Sequence, residues 1–198
     1  MISTLTTVVI GFCILSIGAA QDWSKVIEEV EHYRKEGAYT GAVLRVANGT
    51  HTLFAQTFGS YSHIDLPLGA PFITNDTIFD IASLSKVTAT LSCIIWLVEE
   101  GKIGVDDKVV KYIPEYGNNG KEQTTLRNLL LHNAGLLPDY PPPLPKTKKE
   151  FMEWVYTCPL DYPIATKMVY SDLSFILLAE IAERVTQKSI DVLTKERM

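Results

Sequence analysis

Trp23, Val26, Ile27, Val30 and Tyr33 recur at the i, i+3, i+4 spacing of one helix face, and Gly37 follows as a stop. The period then changes to alternation. GAVLRVA and THTLFAQTF flank Asn48-Gly49, a dipeptide suited to positive φ at both centres of a type I′ turn, so a β-hairpin is expected there. Residues 60–78 contain Pro67, Gly69 and Pro71 with little periodicity and read as loop. Helical spacing resumes over 83–100 and is closed by Gly101. Shorter helical pieces are expected around 105–112 and 126–131, broken by Pro114 and the Gly117-Asn118-Asn119-Gly120 cluster. Pro138, Pro141, Pro142, Pro143 and Pro145 predict a stiff extended surface segment. A helix over 148–158 and a strongly apolar one from Leu173 to Val185 follow, the second apolar around enough of its circumference to be buried.

The order is therefore helix, two strands, then helices to the end, an α+β class with one domain over 21–198. A lone hairpin is marginal in water and leaves two unpaired edges, so the sheet needs further strands. No later segment alternates clearly; the expectation is that another chain supplies them or that this sequence stops before they are made.

Composition narrows the function. The 198 residues carry a net charge of −5, which argues against a broad basic surface for nucleic acid, and 46% hydrophobic with 21% charged residues excludes disordered and coiled-coil classes. Residues 1–20 have no charged side chain, an apolar run from Val8 to Ile17 and small residues at Gly18, Ala19 and Ala20. They read as a signal peptide cleaved after Ala20, too short to span a bilayer, and predict a secreted protein without a stable membrane span. Export makes Asn48 and Asn75, each heading an N-x-T triplet, candidate glycosylation sites. It also leaves Cys93 and Cys158 as the two mature thiols, after Cys13 departs with the signal. They are either a disulfide or two buried free thiols. His32, His51 and His63 have no ligand spacing, so no metal is expected.

Ser83-Leu84-Ser85-Lys86 opens the long helix. With 11 serines and 13 lysines, chance alone yields about 0.7 S-x-x-K matches, so position matters more than pattern. At i and i+3 the Lys86 amine can reach the Ser83 hydroxyl, and the helix amino end favours developing negative charge. A serine becomes nucleophilic when a neighbouring base takes its proton. A serine cap beside a solvated lysine is the plainer alternative.

Beyond IFDIASLSKVTAT, the segments LVEEGKIGVDDKVVKYIPEY, TTLRNLLLHNAGL and YSDLSFILLAEIAERVTQKS follow in order. Together they resemble the serine β-lactamase and penicillin-binding-protein superfamily, in the branch of class C β-lactamase-related hydrolases and esterases. The resemblance implies a β-lactamase/transpeptidase-like fold, an antiparallel sheet with a helical region. It makes Ser83 the acylated nucleophile, Lys86 its general base partner and Tyr170 a second proton handler, with no cofactor. Asp172 stands where the family has a substrate-contacting Asn, and an ion pair with Lys86 is expected. His132 occupies a family-like position as a framework residue. The family's third motif, Lys-Thr-Gly or His-x-Gly on a later strand, is not found; Lys146-Thr147-Lys148 lacks the glycine and precedes Tyr170. The C-terminal strands are thus expected to be missing, and the chain alone to turn over negligibly. Two functions follow: part of a secreted serine hydrolase acting on a small-molecule or peptide-like ester or amide, or a non-catalytic relative with a binding role.

Overall fold

The computed structural model describes residues 21–62, 71–141, 143 and 145–197. The expected signal peptide, Cys13, His63, Pro67, Gly69 and Pro142 lie outside the described residues. The chain forms two compact units, the first ending at Phe79 and the second beginning at Asp80.

In the first unit, helix α1 (Ser24–Lys35) follows from the spacing of its apolar positions, and Gly37 with φ 82° ends it. Strands β1 (Gly41–Asn48) and β2 (His51–Gly59) pair antiparallel. The hairpin is as expected, but its turn is not. Asn48 pairs with His51, the loop is Gly49-Thr50, and Gly49 has positive φ while Asn48 does not. Glycine at the first central position is the type II′ requirement, so the type I′ expectation is corrected. The register slips between Val46 and Ala47, leaving Leu53 as the extra residue of a bulge. Few side chains are buried here. Phe58 and Ile73 are the buried hydrophobic residues among those described, Trp23 stacks on Phe54 at 5.2 Å, and Tyr39 Oη donates to the Val30 carbonyl at 2.6 Å. The sheet has two strands among the described residues.

The second unit is helical. The predicted helix over 83–100 contains a π-helical stretch (Lys86–Leu91) that runs into α2 (Ser92–Glu99). Single-turn 3₁₀ helices occupy Val109–Lys111 and Pro114–Tyr116, and α3 (Leu126–Leu130) starts from a Thr125/Asn128 capping box. α4 (Lys148–Thr157) and α5 (Asp172–Thr186) match the expected helices, while α6 (Ile190–Arg197) is an addition. α5 is buried as its all-round apolarity demands: Leu173, Leu177, Leu178 and Ile181 are fully enclosed with Ile94, Ile113, Leu126, Leu129 and Val155. Each such aliphatic side chain contributes about 1.5–3 kcal/mol, so this core anchors the helices that carry the site.

The disulfide alternative for Cys93 and Cys158 is not realised. Both are buried free thiols: Cys93 Sγ lies 3.9 Å from Thr194 Oγ1, and Cys158 Sγ faces the Val155 carbonyl at 3.4 Å. Each is held by its own helix packing, and burial pushes both thiols above their ordinary pKa. Among the described residues no helix is long and apolar enough to cross a membrane.

Candidate active site

The site is built by the second unit alone. Asp80 Oδ1 accepts from the Ala82 N–H at 2.7 Å, and Ala82 takes φ 45°, a left-handed conformation that costs a non-glycine residue about 1 kcal/mol or more. Three successive i→i+3 bonds follow, from Leu84, Ser85 and Lys86 N–H to the carbonyls of Ile81, Ala82 and Ser83. This tight turn sets Ser83 at the head of the helix, where the macrodipole is positive. The sequence reading missed this device; Asp two residues before a left-handed position is its one local signal.

Lys86 Nζ donates to Ser83 Oγ at 3.0 Å and to Asp172 Oδ1 at 2.7 Å, so the ion pair expected from the sequence is present. Its ammonium also sits 5.0 Å from the Tyr170 ring centroid. Burial favours neutral Lys86, but the Asp172 carboxylate and Tyr170 hydroxyl outweigh it and hold the amine above its ordinary pKa. Tyr170 moves the other way: Lys86 first and Ser83 second hold its phenol below the ordinary value. These contacts favour the charged form of both groups, an ammonium at Lys86 and a phenolate at Tyr170.

His132 supports this geometry from behind. Its Nδ1 accepts from the Ser171 N–H at 3.1 Å, which leaves the ring proton on Nε2, and its carbonyl accepts from the Val169 N–H at 2.9 Å. The ring lies between Tyr170 and Phe175, with centroids 4.7 and 5.1 Å away. Burial first, and the Lys86 charge second, hold His132 below its ordinary pKa, so it is neutral. Ser171 caps α5 and also donates to the Leu137 carbonyl at 2.7 Å, while the Asp172 N–H bonds to the Pro138 carbonyl at 2.7 Å. Gly135 in the same turn has φ 82°, and a Cβ there would lie 2.4 Å from the Tyr162 carbonyl oxygen, so only glycine fits. The framework role expected for His132 matches these contacts.

The structure thus joins Ser83, Lys86, Tyr170 and Asp172. It places Asn48 at the exposed hairpin tip and Asn75 in an exposed turn of the first unit. Among the described residues no group of three or more His, Cys, Asp or Glu could hold a metal ion.

Residues 26–198 match the family profile described as Beta-lactamase. The N-acetylmuramyl-L-alanine amidase of Bacillus subtilis (strain 168) is 28% identical across 93% of this chain and 46% of its own length. Among solved structures, a β-lactamase/D-alanine carboxypeptidase from Pseudomonas syringae superposes with TM-score 0.70 at 23% identity, covering 87% of this chain and 47% of that one. The octameric penicillin-binding protein homologue from Pyrococcus abyssi gives 0.75 at 21% identity, over 90% and 42%. The chain spans less than half the length of each of these relatives. With its helices and small antiparallel sheet in the β-lactamase/transpeptidase-like arrangement and its profile match over most of its length, the chain belongs to the β-lactamase family.

Proposed function

We propose that this chain carries the acylating groups of an exported serine hydrolase that cleaves an ester or amide through an acyl-serine at Ser83. The observation that carries the reading is the Lys86 ammonium 3.0 Å from the Ser83 hydroxyl, with Tyr170 depressed by the same charge. Tyr170 as phenolate takes the Ser83 proton while Oγ bonds to the substrate carbonyl carbon. The Lys86 ammonium stabilises the phenolate, and the helix amino end favours the oxyanion. Tyr170 then returns the proton to the departing oxygen or nitrogen as the acyl bond breaks. Water releases the acyl group by the reverse use of the same residues. The amidase relative and the carboxypeptidase named for Pseudomonas syringae support amide-bond substrates of the peptidoglycan kind. Secretion and glycans at Asn48 and Asn75 belong to the same proposal.

Intact-mass analysis after exposure to a p-nitrophenyl ester tests this. One acyl group should appear at Ser83, and Ser83→Ala should remove it. Absence of a Ser83 adduct, with the fold intact by circular dichroism, would favour a non-catalytic binding role.

A further inference from the structure

The segment that brings Tyr170 to the site hangs from a second segment, 132–138, by four hydrogen bonds. The Val169 and Ser171 N–H groups donate to His132, the Ser171 hydroxyl to the Leu137 carbonyl, and the Asp172 N–H to the Pro138 carbonyl. The His132 end is fixed by α3: the His132 N–H bonds to the Leu129 carbonyl, and Asn128 Nδ2 donates to Asn133 Oδ1 at 2.9 Å. The other end has no such local support. Pro138 and Asp139 are exposed, and a proline has no N–H with which to pin its own backbone. The next residue supplies the anchor. The Tyr140 ring centroid lies 4.4 Å from that of Trp154 and 5.5 Å from that of Phe151, neighbours at i and i+3 on α4. Both of those residues pack against the hydrophobic core, and α4 is further held there by buried Met152 and Val155. The chain on the far side of Tyr140 begins with Pro141, which restricts Tyr140 to extended backbone.

We infer that Tyr140 is a positioning residue for acylation of Ser83: its ring, clamped on α4, holds the Leu137 and Pro138 carbonyls where they fix Ser171 and Asp172, and so keeps Tyr170 and Asp172 against Lys86. Tyr140 acts on the site only through these carbonyls. The anchoring contacts are made by its ring, so a phenylalanine should serve as well. The inference rests on the acyl-serine reading above.

The test follows Ser83 acylation by a p-nitrophenyl ester across pH in the native chain, Tyr140→Ala and Tyr140→Phe. Tyr140→Ala should slow acylation about 10- to 100-fold, the scale of a small misplacement of reacting groups. The rise of rate with pH should also move to higher pH, because the Tyr170 phenol loses part of the Lys86 contact that lowers its pKa. Tyr140→Phe should restore both rate and profile. A general loosening of the fold scales the rate equally at every pH, so slowing without a shifted profile overturns the inference, as does a normal rate. If Tyr140→Ala does not fold, Tyr140→Leu, which fills the slot without a ring, carries the same test with a loss of roughly threefold or more. Amide hydrogen exchange reads the anchor without substrate: the Asp172 N–H should exchange about fivefold faster or more in the ring-less variant than in the native chain, and equal exchange overturns the inference. Failure of the native chain to label Ser83 overturns the acyl-serine reading, and the exchange measurement then decides by itself whether Tyr140 holds the Asp172 segment.

Discussion

Two lysines of the second unit occupy opposite regimes. Lys121 is fully buried, and its amine donates to the carbonyls of Tyr156 and Cys158 at 2.7 and 2.6 Å and lies 4.8 Å from the Tyr116 ring centroid. Those carbonyls are at the C-terminal end of α4, where helical acceptors run out and the macrodipole is negative. Burial, unopposed by a contacting carboxylate, pushes Lys121 below its ordinary pKa. Lys86 is less enclosed and contacts a carboxylate, so its pKa goes up. A lysine facing neutral carbonyls holds structure together; one clamped between a carboxylate and a hydroxyl keeps a charge where a reaction can use it.

The comparison breaks if the two residues can be exchanged in effect. Replacing Lys86 with Met should slow Ser83 acylation about 100- to 1000-fold, the scale expected when one acid–base or charge-stabilising partner is removed, while changing stability little. In that variant the Tyr170 phenol loses the ammonium that depresses it, so the rise of acylation rate with pH should move to higher pH. A Lys86→Met protein that labels at the normal rate removes Lys86 from the chemistry. Lys121→Met should do the reverse. Two buried carbonyls lose their donor, so urea denaturation should show a loss of about 2–4 kcal/mol, and the folded fraction should still acylate Ser83. A loss below about 0.5 kcal/mol would mean that Lys121 does not secure the end of α4.

Neither lysine's role was equally visible in the sequence. Lys86 stood out because Ser83 lies one turn before it, but that spacing arises by chance about 0.7 times in such a chain, so family resemblance carried the rest. Tyr170 reaches the site through the loop that His132 and Ser171 hold, a long-range contact that no local periodicity encodes. Lys121 has no sequence signal at all, since a polar residue after a Gly-Asn-Asn-Gly cluster reads as exposed loop. The helices α1, α4 and α5 were legible because their apolar positions repeat and their stops are explicit. Helix α6 was not, because Ile190, Val192 and Leu193 are too few apolar positions, all within four residues, to establish a period. The turn type failed for a related reason: Asn48-Gly49 permits two registers, and pairing of Asn48 with His51 decides between them.

Asp107 sharpens the comparison from the acidic side, with the smallest expected effect. It accepts from the Gly104 N–H at 2.7 Å, from Lys111 Nζ at 2.8 Å and from the Tyr112 hydroxyl. Lys111 first, then Tyr112 and the Gly104 amide, lower its pKa from 3.8 to about 2. The folded value lies below the unfolded one, so the stabilisation is fully present above the unfolded pKa and is lost as pH falls through the folded one. Because its side chain is partly solvated, the contribution is about 1–2 kcal/mol, less than the full shift converts to. Acid titration of stability should therefore show the native chain falling more steeply than Asp107→Asn between the ordinary carboxylate pKa and about 2. At neutral pH the variant should be the less stable of the two. Parallel acid curves would mean that Lys111 and Tyr112 leave the Asp107 carboxylate free to titrate normally. Pairing of a lysine with a carboxylate would then no longer suffice to set a side chain's charge, and the raised pKa of Lys86 would have to rest on its hydroxyl contacts alone, against its burial.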